Sequence, residues 1–221
     1  MTRLPFKRLG PCIAAAMLCM TMAGPAHATP PACDPYAHDN DLARDARIHH
    51  NIPLALKLAA KVLDQQPNDF RANYTAGLAL LEQSGFGHSL NPDFNLVRDG
   101  TKRLANAAPL LEKLDPVCAK YARDNDWYSI LNALAAGYYA TGDKSTAEQF
   151  LQRAYAKRAL LKPTSRQKLL DNMGLFYFEL KNYGQSARYY NEAGQAGSAG
   201  ADQRAATAQQ LGELLTTRHG K

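Results

Sequence analysis

A period of 39 residues constrains the fold of this chain more than any other feature: Leu134, Tyr138, Ala147 and Ala154 recur as Met173, Tyr177, Ser186 and Ala193. Inside each copy lies a short turn signal, Thr141-Gly142-Asp143 in one and Lys181-Asn182-Tyr183 in the other. Helical spacing on both sides of a turn, repeated at a fixed interval, predicts stacked helical hairpins. A single hairpin cannot bury its own apolar faces, so neighbours must stack to cover them. No long stretch alternates apolar and polar residues with β-branched enrichment, which argues against strands.

The small residues of the repeat have a physical role. Ala135 and Gly174 fall mid-helix, where a partner helix must come close, and Tyr138 and Tyr177 fill the space one turn on. Ala147, Ala154 and Ala193 serve the same close approach on the second helices.

The order Leu131-Leu134-Ala135-Tyr138-Gly142-Ala147-Ala154 resembles the tetratricopeptide repeat family, as does Leu170-Met173-Gly174-Tyr177-Asn182-Ser186-Tyr190-Ala193. Upstream, Ala55-Ala59-Val62-Pro67 resembles the second helix and closing proline of an earlier unit, and Ala76-Gly77-Leu80 the first helix of the next. That next unit carries an insertion at 84–98, ahead of a helix expected from about Asp99 to Leu114. The expected fold is an all-α helical-hairpin, tetratricopeptide-like solenoid of about four units over residues 42–198, with a C-terminal capping helix in 199–221.

The N-terminal segment reads as an export signal. Arg3, Lys7 and Arg8 precede an apolar run from Pro11 to about Ala23, and Ala26-His27-Ala28 supplies a small-x-small cleavage site. Cleavage after Ala28 leaves a leader loop at 29–41. The expected location is the periplasm, with an extracellular destination as the alternative. Of the four cysteines, Cys33 and Cys118 remain in the mature chain and are expected to form one disulfide. Removing the three signal bases lowers the net charge from +6 to +3, too small a footprint for nucleic-acid binding.

Constellations for catalysis are missing from the sequence. Asp39-Asn40-Asp41 and Asp124-Asn125-Asp126 lack the glycine and distal glutamate of a calcium loop and read as turn and cap chemistry. His49 and His50 point about 100° apart on a helix and, with His38, read as surface histidines. His88 has no nucleophile elbow around it, and Asn73-Tyr74-Thr75 is a sequon inside a helix. No catalytic residue, metal or cofactor is expected.

Two surfaces are expected to bind. In the fold that the resemblance implies, the first helices line a concave groove. That places Arg71, Tyr74, Leu78 and Leu81 there, with Asn132, Ala136 and Tyr139, and then Lys168, Asp171, Asn172, Leu175 and Phe178. The Lys, Asn and Arg set with which that family clamps a peptide carboxylate is absent from the matching positions. The second surface is basic: Arg153, Lys157, Arg158, Lys162, Arg166 and Lys168 fall between Phe150 and Leu170 with no acid among them, a patch for an acidic partner or an anionic membrane surface. The functional expectation is an exported, non-catalytic scaffold or adaptor for protein–protein interactions. Its alternatives are an enzyme or enzyme subunit with a site in the 84–98 insertion, and a secreted factor acting on another cell.

Overall fold

The computed structural model describes residues 34–219 other than 87, 88, 90, 114 and 115, without the side chains of 111, 112, 116–127 and 216–219. The expected signal (1–28) and Cys33 lie outside the described residues, as do His88 and the side chain of Cys118. The described residues are all-helical: α1 (Ala37–Ile48), α2 (Ile52–Gln65), α3 (Phe70–Gln83), α4 (Phe94–Glu112), α5 (Pro116–Ala140), α6 (Lys144–Ala156), α7 (Pro163–Glu179), α8 (Tyr183–Gln195) and α9 (Ala201–His219), with a single 3-10 turn at Arg158–Leu160. They fall into two compact units that divide between Phe150 and Leu151, inside α6.

In the first unit, helices adjacent in the chain pack as pairs from α1 through α5, and α1 also lies against α3. Ala43, Ala59, Val62, Leu63, Ala72 and Ala76 form a buried cluster joining α1, α2 and α3, flanked by Tyr36, Leu56 and Leu58. Alanines dominate because helices packed this closely leave no room for longer side chains. Where α3 meets α4, a Cβ on Gly77 would lie 2.7 Å from Leu104 Cγ, and one on Gly100 would lie 2.8 Å from the Gly77 carbonyl oxygen. In the second unit α8 packs against both α7 and α9. A Cβ on Gly174 would lie 2.6 Å from a Tyr190 ring carbon, so the small-residue reading of the repeat holds at this crossing.

Three hairpin turns share one backbone solution. His50, Gly142 and Lys181 adopt φ of +58°, +91° and +59°. The residue after each donates its N–H five positions back: Asn51 to the Ala46 carbonyl at 2.8 Å, Asp143 to Tyr138 at 2.9 Å and Asn182 to Tyr177 at 2.9 Å. These bonds satisfy the last orphan carbonyls of the leading helix in the Schellman manner. The same Asx residue then caps the next helix, accepting from Leu54 N at 3.3 Å, Thr146 N at 3.0 Å and Gln185 N at 3.2 Å. Gly142 and Lys181 stand one 39-residue period apart.

Several boundaries differ from expectation. α1 begins at Ala37, inside the expected leader loop, because Asp34 opens it: Tyr36 N donates to Asp34 Oδ1 at 2.8 Å and Ala37 N to the Asp34 carbonyl at 3.1 Å. The insertion is shorter than 84–98, since Asp93 caps α4 five residues early by accepting from Asn95 N at 2.9 Å. Asp93 N also donates to the Ser84 carbonyl at 2.9 Å, closing the connection at its base. Asp124-Asn125-Asp126 lies within α5 and Asp39-Asn40-Asp41 within α1, so neither is a turn or cap.

Candidate functional site

In the first unit the most concentrated polar chemistry joins the starts of α1 and α3. Asn40 is fully buried, and its Nδ2 donates to Asp34 Oδ1 and Oδ2 at 3.3 and 3.1 Å and to Asp69 Oδ1 at 3.2 Å. Arg71 Nη1 donates to Asp34 Oδ2 at 2.9 Å, and its Nη2 pairs with Asp41. Burial pushes the Asp69 carboxyl above its ordinary range, and the Asp34 charge adds to the rise against the opposing Ala72 N–H, Asn40 and Arg71. Burial acts to lower the Arg71 pKa, yet Asp41 and Asp34 outweigh it and hold the guanidinium charged. The constellation is a structural lock between two helices. It holds no nucleophile beside a base, which is what a covalent or general-base site requires.

That lock corrects part of the expected groove. Arg71 is engaged with α1. Leu78 is interior, and Asn132 on α5 is only 2% exposed. The reason is helical packing: α3 has α1, α2, α4 and α5 around it, so little of its surface remains open. Tyr74 is half-buried and stacks on Phe70 with centroids 6.0 Å apart. Tyr139 is half-exposed near the end of α5, with Lys144 Nζ 5.9 Å from its ring centroid. Asn73 points inward and donates to the Pro67 and Asp69 carbonyls at 2.9 and 2.8 Å.

In the second unit Lys168 and Phe178 on α7 are half-buried, whereas Asn172 is 2% exposed and interior. Asp171 pairs with Arg204 and accepts from Ser198, tying α7 to α9. Phe178 meets Tyr183 edge-on at 5.4 Å. Tyr183 in turn lines a wide, open depression of about 970 Å³ between the α7–α8 turn (Leu180, Lys181, Asn182) and α9 (Ala208, Gln209, Gly212, Glu213, Leu215).

Sequence reasoning missed a tyrosine cluster in this unit. Tyr177 and Tyr189 stack at 5.4 Å, and Tyr155 meets Tyr189 edge-on at 5.3 Å. Gln152 Nε2 donates to the Tyr177 and Tyr189 hydroxyls at 2.9 and 3.2 Å. Tyr155 donates to Glu192 at 2.8 Å, and burial followed by that carboxylate raises its pKa. Arg158 lies over Tyr155 at 3.9 Å and Arg188 over Tyr189 at 4.3 Å. Tyr190 is pushed up to about 12, chiefly by burial, against the opposing Arg204 charge.

No family model, curated protein or solved structure matches this chain.

The functional reading therefore rests on these geometries. Among the described residues no group of three or more His, Cys, Asp or Glu is arranged to hold a metal ion. His38, His49 and His50 are exposed, and His49 Nδ1 lies 2.8 Å from the Asp45 carbonyl. No described helix is long and apolar enough to cross a membrane. Within the basic segment Arg153, Lys157 and Lys162 are exposed, and Arg158 and Arg166 are half-exposed.

Proposed function

We propose that this chain is an exported, non-catalytic scaffold or adaptor of tetratricopeptide-like helical hairpins that captures a protein or peptide partner. The observation that carries the reading is the open depression of the second unit, with Tyr183 at its wall and Phe178 packed behind that ring. An aromatic wall beside amide and charged groups (Asn182, Gln209, Lys181, Glu213) suits an amphipathic segment, because aromatic anchors supply most of the affinity and polar rims fix register. In the first unit, considered by itself, Tyr139 is half-exposed near the end of α5.

Export is supported by the basic, apolar and small-residue order of the first 28 residues. The disulfide between Cys33 and Cys118 belongs to the same reading, as an oxidising compartment favours it. It would close a loop of about 85 residues and contribute on the order of 4 kcal/mol.

Crosslinking in the native envelope followed by capture of this chain tests the scaffold reading. A discrete protein crosslinked through residues bordering the depression is the expected result. Recovery of the chain uncrosslinked, with Tyr183 equally reactive in the native envelope and in purified protein, would count against it. N-terminal sequencing of the same material is expected to begin at Thr29.

A further inference from the structure

The connection between α6 and α7 has a construction that the protein-capture reading does not use. Two adjacent leucines point opposite ways: Leu161 is 7% exposed and anchors the segment, while Leu160 is 72% exposed, the most exposed large apolar side chain among the described residues. The backbone between them is held. Leu160 N donates to the Lys157 carbonyl at 3.0 Å, Leu161 N to Arg158 at 3.2 Å, and Arg166 N to Lys162 at 2.9 Å. Arg158 braces the turn by stacking on Tyr155 and donating to the Tyr155 carbonyl at 3.2 Å. Leu160 is thus presented by a local hydrogen-bonded turn.

Its surroundings are cationic. Ala156, Lys157, Ala159, Lys162, Pro163 and Thr164 are all exposed. The stretch from Phe150 to Leu170 carries six bases and no acid, and the remaining 20 bases and 20 acids of the chain cancel, so this segment accounts for the whole formal net charge of +6. No ion pair engages Lys162, Arg166 or Lys168 among the described residues. A protruding leucine beside Lys162 and Arg166, neither of them in an ion pair among the described residues, is poorly suited to a protein pocket, which would have to desolvate those charges. It is well suited to a bilayer surface, where the leucine enters the acyl boundary and the cations stay at the phosphates.

We propose that the α6–α7 turn docks the protein on an anionic lipid bilayer, with Leu160 as the inserted residue and Lys162 and Arg166 as headgroup contacts. The surface is separate from the depression at Tyr183, so it stands whether or not that depression takes a partner.

The test uses the exported chain, from Thr29 onward, and co-sedimentation with vesicles of phosphatidylcholine, alone or mixed with phosphatidylglycerol. Binding is expected to rise with phosphatidylglycerol and to fall with salt. Lys162→Glu with Arg166→Glu is expected to weaken binding by at least about fivefold, and Leu160→Ser by about tenfold. Leu160 and Lys162 are exposed, so thermal melts of these variants should match the wild type and exclude misfolding. Variants that bind anionic vesicles as well as the wild type would overturn the proposal and place the contact elsewhere. Competition by inorganic phosphate alone would also overturn it, in favour of a small-anion site. Wild-type binding to immobilised polyglutamate, lost on charge reversal and without vesicle binding, would reassign the patch to an acidic protein.

Discussion

Ser186 donates its hydroxyl hydrogen to the main-chain carbonyl of Gly174 at 2.8 Å. The two residues lie on consecutive helices and both are buried. The missing side chain of Gly174 leaves space for the Tyr190 ring, whose Cδ1 would lie 2.6 Å from a Cβ at this position. A hydroxyl on Ser186 then reaches a carbonyl that is otherwise committed to its own helix. The repeat thus uses one glycine for both ring packing and a cross-helix hydrogen bond.

Substitution at this crossing should act on stability. Gly174→Leu is expected to lower unfolding free energy by about 1–3 kcal/mol through overpacking against Tyr190. Ser186→Ala is expected to cost about 0.5–1.5 kcal/mol for the lost bond. Urea melts followed by far-UV circular dichroism measure both, and a Gly174→Leu midpoint at or above the wild type would refute the close approach.

Lys181 holds a left-handed backbone that glycine adopts more readily. A β-carbon in the left-handed region costs on the order of 1 kcal/mol, and glycine does not carry that cost. Lys181 has φ +59°, whereas its counterpart one period earlier is Gly142 at +91°. Lys181→Gly is expected to raise stability by up to about 1 kcal/mol, read as a higher melting temperature. Gly142→Lys should do the reverse.

The seam of the repeat was legible in the sequence because it is periodic. Ala135, Gly174, Tyr177, Ala147, Ala154 and Ala193 are all buried, at positions that the 39-residue spacing marks out. The turns at Gly142 and at Lys181-Asn182 were legible from the repeat, but the left-handed backbone of Lys181 and the turn at His50 were not, since neither residue type signals a positive φ. The groove was less legible for a different reason. Helical phase separates Leu78, Asn132 and Asn172 from the seam, yet a helix packed on several sides buries more than one face. The tyrosine cluster lay beyond reach because its contacts join residues far apart in the chain, such as Tyr155 and Glu192, 37 positions apart, with no local pattern.

The buried lock at Asp69 predicts a pH dependence. Its folded pKa is raised above the ordinary 3.8, so the folded state holds this proton more tightly than the unfolded chain does. Stability contributed by the group is then greatest at low pH and declines as pH rises through the carboxylate range. Asp69→Asn removes the buried charge while keeping a side chain able to cap α3 and accept from Asn40. Relative to the wild type, the variant is expected to gain stability at neutral pH, with the advantage shrinking toward pH 3.8. Paired melts across that range measure the difference, and an advantage that grows on acidification would contradict the raised pKa.

The surface that takes a partner should be separable from the seam that holds the fold. Tyr183 lines the depression and is only partly buried, and Phe178 reaches it edge-on. Tyr139 is half-exposed at the end of α5. Tyr183, Phe178 and Tyr139 are each only partly buried, so truncating them removes less packing than truncation at the Gly174 crossing. Tyr183→Ala is expected to weaken capture of the crosslinked partner by about tenfold or more, as aromatic anchors in recognition surfaces commonly do. Phe178→Ala acts on the same surface through Tyr183 and should show a smaller loss of binding with a stability cost of about 1–2 kcal/mol, less than for a fully buried phenylalanine. Tyr139→Ala reports on the first unit alone. Binding and thermal melts on each variant, beside Gly174→Leu, separate the two roles. If Tyr183→Ala stays folded and still captures the partner as the wild type does, the depression is not the binding site.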